Sequence, residues 1–369
     1  MELVLTPEQE DLRSTVRKFL RAESPMTKVR AAVDGEHDFD PALWRRLAGE
    51  LGLVGLTIPD RYDGVGAGQI ERSIVLEEMG RALLPAPYLS TVLAADALLA
   101  LDDEPARAEL LPAIAAGELR ATVAIAEGSS NWAATDTSTT ATPDPDGWRL
   151  NGSKNLVLDG ASADLLIVLA NSPEGPAFFR VAGDAGGLSR TPLTGLDPTR
   201  RFARIDLNET PAIRIAAADP VAALEKIIDL ATLALAAESI GVLGQAMRMA
   251  VDYAKVRVQF GRYIGSYQAV KHLCVDSYVD YELTCSVLRN AAWAADHDPA
   301  EFPLAAAHAR VSVLPAAFQA AVRNVQVHGG IGYTWEHDAH LYYKRAKSNE
   351  LLLGNKISAH LALADRLGI

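Results

Sequence analysis

The chain has 369 residues, 49% of them hydrophobic and 22% charged, and a formal net charge of −12 at pH 7. This length exceeds what one hydrophobic core usually serves, so two or three packed units are expected, and the negative charge argues against nonspecific nucleic-acid binding. No apolar run approaches the roughly 18 residues of a membrane span, and the first residues lack the layout of a signal peptide. The sequence therefore predicts a cytoplasmic protein that does not enter a membrane.

Helix signals dominate the first third of the chain. Thr6-Pro7-Glu8-Gln9 combines an N-cap, a proline at the first helical position and the glutamine of a capping box, which predicts a helix through about Arg21. Apolar residues spaced three and four apart predict further helices over residues 44–51 and 71–84. A helical domain is expected over residues 1–118.

The pattern changes in the middle of the chain and changes back near its C-terminal third. Short β-prone runs such as ATVAIA, ADLLIVLA and AFFRVA, separated by Pro, Gly, Asn and Asp, predict a small β-domain over residues 119–219. Residues 220–369 are expected to be helical again, with four long helices that would form an antiparallel bundle. We predict these helices over residues 221–258, 266–295, 303–328 and 337–368.

The most informative stretch is YAKVRVQFGRYIGSYQAVKH, residues 253–272. We call Arg257, Gln259, Phe260 and Gln268 the arginine motif. An arginine can pair with a pyrophosphate, a glutamine can hydrogen-bond it, and a phenylalanine can pack on a flat heterocycle. Alone, each residue would be an ordinary helix charge, core aromatic or surface amide, but together they predict a nucleotide-cofactor site.

A second candidate site lies in QVHGGIGYT, residues 326–334. We call Gln326, Gly329 and Gly330 the glycine motif. Paired glycines let a backbone approach a phosphate and present its N–H groups, although a helix C-cap followed by a turn is the simpler interpretation. The stretch is not a Rossmann fingerprint, because GxGxxG is absent and the glycines follow a helix instead of a strand.

Together, the two motifs and the stretches LWRRLAGELGLVGLTIPDRYDGVG and IVLEEMGRALLPAPYLSTVLAADAL resemble the acyl-CoA dehydrogenase family over nearly the whole chain. The resemblance implies an α+β, mainly α fold: an N-terminal helical domain, a small central β-domain and a C-terminal four-helix bundle. It also implies that the arginine motif reaches across a subunit interface to the FAD of a neighbouring subunit. The glycine motif would contact the ADP part of FAD.

The β-domain departs from the family pattern where the flavin ring would be contacted. The family has a Thr-Glu-Pro-rich loop and a Lys-x-Trp-Ile-Thr strand, but residues 126–132 read AEGSSNW and residues 154–158 read KNLVL. Leu156 and Leu158 thus stand where the tryptophan and the threonine are expected. A leucine can pack on the flavin but can neither stack on it as an aromatic ring nor donate a hydrogen bond.

The catalytic base is the larger departure. The reaction of the family removes an α-proton from an acyl thioester while a hydride leaves the β-carbon, so a carboxylate must lie against the α-carbon. Most members place a Glu where alignment puts Leu353, and a minority place it where alignment puts Ala231. Neither residue can accept a proton.

Two other glutamates are weak candidates for the base. Glu238 falls one heptad after Ala231 on an apolar stripe, where burial would raise its pKa unless it is paired. The alternative is a structural glutamate paired with an arginine. Glu350 lies one turn before Leu353, a displacement of about 4–5 Å along the helix axis that exceeds catalytic tolerance.

Three histidines invite a metal-site interpretation. His337 and His340 have the i,i+3 spacing of metal ligands, and His328 precedes them. No third ligand with a forced position is evident, so no metal is predicted. These histidines are expected at the surface or in a subunit contact.

Two functional hypotheses remain. In the first, the chain lacks a complete active site and pairs with a homologous subunit that carries the Glu, since the resemblance includes heterotetramers, several of which act on steroid side-chain CoA thioesters. In the second, it is a self-sufficient homo-oligomer with a displaced base. Either assembly would desaturate an acyl-CoA and pass electrons to an electron-transfer flavoprotein. The two empty base positions favour the first.

Overall fold

The chain folds as a helical region, a region of strands and a second helical region. The computed structural model describes residues 4–35, 39–128, 132–133 and 137–369. The mainly α class with a central β-region is confirmed. The predicted boundaries at 118/119 and 219/220 fall in connections between elements, and they stay predictions.

Within the residues that the structure describes, six α-helices form the N-terminal region. They are α1 (Pro7–Glu23), α2 (Met26–Asp34), α3 (Pro41–Arg45), α4 (Gln69–Ala82), α5 (Tyr88–Ala100) and α6 (Glu104–Ala115). Thr6 and Gln9 form the predicted capping box of α1. The helix predicted over 44–51 is instead the end of α3 continued by a π-helical turn, Arg46–Glu50. Asp60–Tyr62 adds a short 3₁₀ turn.

The middle of the chain is one twisted sheet that closes on itself. Its strands are β1 (Ala121–Ala124), β2 (Thr140–Asp144), β3 (Gly147–Leu158), β4 (Leu165–Ser172), β5 (Gly175–Ala182), β6 (Leu188–Leu193) and β7 (Phe202–Ile215). The strand order is β4-β2-β3-β7-β5, and β5 also pairs with β4, which closes the sheet. Strand β1 pairs with β4, and β6 pairs with β7. Inward-facing residues such as Leu150, Val168 and Phe179 fill the interior.

The C-terminal region is a bundle around α7 (Pro220–Val256), which packs against α4, α8 (Gln268–His297) and α9 (Phe302–His328). Helix α7 is long and apolar enough to cross a membrane, but 94% of its most apolar window is buried inside the protein. Between α7 and α8 lie the two-residue strands β8 (Val258–Gln259) and β9 (Arg262–Tyr263), followed by a 3₁₀ turn, Ile264–Ser266.

The prediction of a single fourth helix over 337–368 is wrong. The segment forms two helices, α10 (Ala339–Leu351) and α11 (Lys356–Leu367), and a 3₁₀ turn at Gly329–Tyr333 precedes it. Gly354 has a φ of 113°, which ends the helical path. The side chain of Asn355 then caps α11 by accepting a hydrogen bond from the Ser358 N–H at 2.9 Å.

Candidate functional site

The arginine motif occupies a tight hairpin at the end of α7. The helix stops at Val256, and the N–H of Arg257 donates the last helical hydrogen bond, to Tyr253, at 2.9 Å. Strands β8 and β9 pair across a two-residue turn in which Phe260 and Gly261 have φ values of 52° and 79°. Two positive φ values define a type I′ turn, which favours Asn-Gly and disfavours a bulky first residue.

Phe260 is therefore in a conformation that costs free energy and in an environment that returns little of it. A left-handed backbone costs a non-glycine residue about 1–2 kcal/mol. The side chain is 91% exposed, and its aromatic contact is an edge approach to Tyr267 at 6.5 Å between ring centroids. Strain of this kind persists at ligand and partner contacts. The position fits a ring that packs on another molecule.

The polar members of the motif also face solvent. Arg257 and Gln259 are exposed beside Phe260, and Gln268 is the exposed first residue of α8. The N-cap residue of α8, Tyr267, accepts no hydrogen bond with its side chain from the first helical N–H groups. The positive end of this 30-residue helix thus has no side-chain cap, and the guanidinium of Arg262 lies 3.9 Å from the ring centroid of Tyr267, an arrangement that attracts a phosphate.

The glycine motif lies at the end of α9. Gln326 is exposed in the last turn, and Gly329 has a φ of 64°. A Cβ atom added to Gly329 or Gly330 would meet no atom within 4 Å, although the N–H of Gly329 donates to the carbonyl oxygens of Gln326 and Val325 at the end of α9. This segment can approach a phosphate without a side chain in the way.

The two motifs rest on one apolar cluster at the same end of the bundle. Ile264 from the hairpin segment and Val327 from α9 belong to the same cluster. Tyr253 of α7 stacks on His328 of α9 with 4.3 Å between ring centroids. The structure therefore brings the cation, amides and aromatic ring of the arginine motif to the same end of the bundle as the glycine motif.

The two family positions for the base are packed into the hydrophobic core. Leu353 is 3% exposed and Ala231 is fully buried, and both belong to the largest apolar cluster. The carbonyl of Leu353 accepts a hydrogen bond from Arg310. Neither position has a side chain that can accept a proton.

Glu238 is buried as predicted, but it is tightly paired. Its carboxylate accepts hydrogen bonds from Arg200, from Arg345 at 2.8 Å and from Asn349 at 3.0 Å. Burial alone would raise the pKa of Glu238, but the charges of Arg200 and Arg345 outweigh it and hold the pKa below its ordinary value. A carboxylate in this state is a poor general base, so the structure favours the structural interpretation.

Arg345 connects three segments of the chain: α10, α7 and the connection between β6 and β7. Besides Glu238, Arg345 of α10 donates to Asp197 at 2.6 Å and to the hydroxyl of Thr199 at 2.6 Å, both in the connection between β6 and β7. We call this set the buried ionic cluster; its members are Asp197, Thr199, Arg200, Glu238, Arg345 and Asn349. Sequence reasoning missed it. Asp197-Pro198-Thr199 carries only the signal of a local turn, in which Asp197 caps the Thr199 N–H at 2.9 Å.

The buried ionic cluster fills the junction of the N-terminal helices, the sheet and the bundle. The cavity beside it has a volume of about 30 Å³ and is lined by cluster residues together with apolar side chains such as Leu84, Tyr88 and Leu158. That space holds about one water molecule. Ligand pockets are roughly ten times larger or more.

The other candidate base, Glu350, and the three histidines form neither a base nor a metal site among the described residues. Glu350 pairs with Lys347 at 2.6 Å. The sequence predicts the histidines at the surface or in a subunit contact. A surface position is wrong for His328 and His340, which are buried, and a subunit contact stays a prediction. Burial, together with nearby Lys344 and Arg30, lowers the pKa of His340 to about 4. Within the described residues, no group of three metal-ligating side chains occurs.

In the β-region, the strand that departs from the family pattern is irregular. Lys154 is fully buried and donates to Glu127 at 2.6 Å, and this ion pair, with hydrogen bonds from Ser138 and Thr139, overcomes the effect of burial and lowers the pKa of Glu127 to about 2. Leu156 has a φ of 52° beside a bulge in β3. Of the loop aligned with the Thr-Glu-Pro-rich segment, Ser129, Ser130 and Asn131 lie outside the described residues.

Comparison with known proteins agrees with this architecture. The sequence profile of the acyl-CoA dehydrogenase N-terminal domain matches residues 6–118, and that of the C-terminal domain matches residues 221–368. Acyl-CoA dehydrogenase IpdE2 of Mycobacterium tuberculosis is 36% identical over 95% of this chain and 94% of its own length.

Two solved structures are similar over nearly their whole length. A Tcur3481–Tcur3483 steroid ACAD variant has a TM-score of 0.89 and 33% identity, covering 98% of both chains. The ChsE4–ChsE5 complex from Mycobacterium tuberculosis has a TM-score of 0.89 and 30% identity, covering 100% of this chain and 99% of the other. With such identity across both helical regions and the sheet, the chain belongs to the acyl-CoA dehydrogenase family of FAD-dependent oxidoreductases.

Proposed function

We propose that the chain is the non-catalytic subunit of an acyl-CoA dehydrogenase complex whose catalytic glutamate lies on a homologous partner chain. The proposal rests on the residues that occupy the positions where the family places its catalytic base. Leu353 and Ala231 are buried in the apolar core, and Glu238 is held ionised by two arginines. A base must accept a proton from the α-carbon, and these three residues offer no free carboxylate to do so.

The cavity volume supports the same assignment. The space of about 30 Å³ beside the buried ionic cluster cannot hold an acyl thioester. Glu238 and Arg345 line this space and pair with each other, and breaking that pair would leave buried charges without partners. We infer that this space takes neither the acyl group nor the flavin ring.

The exposed residues at the end of the bundle that carries both motifs would complete the FAD site of a neighbouring subunit. Arg257 would pair with the pyrophosphate of FAD, Gln259 and Gln268 would hydrogen-bond it, and Phe260 would pack on a ring of the cofactor. Gln326, Gly329 and Gly330 would line the ADP part, and no side chain on the two glycines would keep it away from the backbone. The chemistry that FAD supplies when bound is acceptance of the hydride that leaves the β-carbon.

The substrate and partners follow from the same proposal. Because one structural neighbour is a steroid ACAD and another is a complex of two differently named chains, we infer a heterotetramer acting on a steroid side-chain CoA thioester. Electrons would pass to an electron-transfer flavoprotein. We place the complex in the cytoplasm, as the sequence predicts.

Purification alone and with a partner tests the proposal. The chain alone should show no flavin absorbance and no desaturation of an acyl-CoA. Co-expressed with a homologous chain that carries the glutamate, it should form a complex with about one flavin per two chains, as the resemblance implies. Activity per flavin should survive Glu238→Gln in this chain and should fall by about 10²- to 10⁴-fold when the partner's base is replaced. The proposal fails if a homomeric preparation desaturates acyl-CoA and loses this activity with Glu238→Gln.

A further inference from the structure

Several arginines line a cavity to which neither the arginine motif nor the glycine motif contributes a residue. The cavity has a volume of about 350 Å³ and lies between α1, the end of α4, α7 and α10. Four arginines and one glutamate line it: Arg17, Arg21, Arg81, Arg248 and Glu78. This concentration of positive charge stands out in a chain whose net charge is −12.

Nearby carboxylates neutralise two of the four arginines. Glu78 accepts two hydrogen bonds from Arg17, at 2.8 and 2.6 Å, and lies 3.3 Å from Arg81. Glu77 lies 3.5 Å from Arg81 and 3.6 Å from Arg13. Arg17 and Arg81 therefore have carboxylate partners.

The other two arginines have none. Across the described residues, Arg21 forms no ion pair, and the one side-chain hydrogen bond of Arg248 goes to the amide oxygen of Gln245 at 3.3 Å. Partial burial lowers the pKa of Arg248, and the like charges of Arg81, Arg17 and Arg21 add to this effect. The cavity thus keeps an excess of positive charge.

Two residues that line the cavity also have a buried donor atom without a hydrogen-bond partner. Arg81 is about nine-tenths buried; its Nε atom forms the ion pair with Glu78, and its Nη1 atom has no hydrogen-bond partner. Ser24 is 4% exposed, lines the cavity, and its hydroxyl also has no partner. Unpaired buried donors cost free energy, which an acceptor in the cavity would return.

We propose that this cavity is a binding site for the phosphate or diphosphate group of a small molecule. Guanidinium groups form bidentate hydrogen bonds with phosphate oxygens, and a serine hydroxyl completes such a site. The volume lies at the lower end of the roughly 300–1,000 Å³ typical of ligand pockets, which suits a phosphate group with a small attachment. The site is separate from the cofactor motifs and does not depend on the proposed function.

Calorimetric titration at constant ionic strength tests this site, with inorganic phosphate, pyrophosphate and ADP as probes on the full chain and on the assembled complex. Pyrophosphate should bind and should raise the melting temperature by about 2 °C or more when saturating. The double variant Arg21→Gln/Arg248→Gln should lower the affinity by at least about tenfold, because it removes two charge-assisted contacts. Ser24→Ala should lower it less.

Two controls fix the position of the anion. Arg45→Gln removes an exposed arginine outside the cavity and should leave the affinity unchanged. Arg257→Ala removes the main cation of the arginine motif and should also leave pyrophosphate binding to the cavity intact. The proposal is overturned if no probe binds, if the double variant binds as well as the wild type, or if Arg257→Ala alone abolishes binding.

Discussion

The end of the bundle that carries the arginine motif and the interior that holds the buried ionic cluster have opposite physical properties. At the bundle end, Phe260 is 91% exposed on a strained turn, and Arg257 has no carboxylate partner within the described residues. In the interior, Arg345 is buried and satisfied by Asp197, Glu238 and Thr199. We propose that the strain in the first region serves contacts with a neighbouring subunit, whereas the polar groups of the second region pair with one another within the chain.

Removing a carboxylate from the interior should have the largest effect on stability. Glu238→Ala leaves Arg345 and Arg200 partly unpaired in the core, and breaking a buried pair costs about 3–5 kcal/mol. Urea denaturation should show this loss in the free energy of unfolding. Glu225→Ala, which replaces an exposed glutamate of the same helix α7, is a matched control and should change little. Equal stability of the Glu238 variant and wild type would mean that the cluster does not hold the regions together.

Acid should weaken the same cluster in the wild type. Arginine charges hold the pKa values of Glu238 and Asp197 below their ordinary values of 4.5 and 3.8, against the effect of burial. A lowered folded-state pKa stabilises the protein above the unfolded-state pKa and loses that contribution as the pH falls. Stability should therefore decline below about pH 4.5. In Glu238→Gln the decline should be shallower, as measured by denaturation at a series of pH values.

Local signals account for what the sequence predicts well. The capping box at Thr6 defines α1 because its hydrogen bonds join residues three apart. The residues of the arginine motif follow one another closely along the chain, so a local pattern can suggest them, and their role in binding FAD stays a prediction. The break at Gly354 was missed because apolar spacing continues across it.

Long-range pairing accounts for what the sequence does not reveal. Arg345 and Asp197 lie 148 residues apart, and no periodicity in either segment marks them as partners. The apolar stripe correctly predicts that Glu238 is buried, but the sign of its pKa shift depends on Arg200 and Arg345, which arrive from other elements. The left-handed backbone of Phe260 is likewise a property of the hairpin that composition alone does not show.

At the exposed end, loss of the arginine should weaken the cofactor and leave the fold unchanged. Arg257→Ala removes a bidentate charge-assisted contact worth about 1.5–3 kcal/mol, so the flavin affinity of the assembled complex should fall about 10- to 150-fold. Lys255→Ala is a matched control, since Lys255 is also an exposed cation at the end of α7. Flavin absorbance after dialysis measures the occupancy. Unchanged occupancy would remove Arg257 from the cofactor site.

The smallest expected effect is that of Phe260→Asn, which should raise the stability of the chain and lower the flavin affinity of the complex. Phe260→Asn places a residue that tolerates the left-handed conformation at the first position of the type I′ turn, so the free energy of unfolding of the chain alone should rise by about 1 kcal/mol. The same change removes the aromatic surface proposed to pack on the cofactor, so flavin affinity in the complex should fall. A variant that is less stable, or that binds flavin as tightly as wild type, would show that Phe260 is not held in a strained conformation for the sake of a neighbouring molecule.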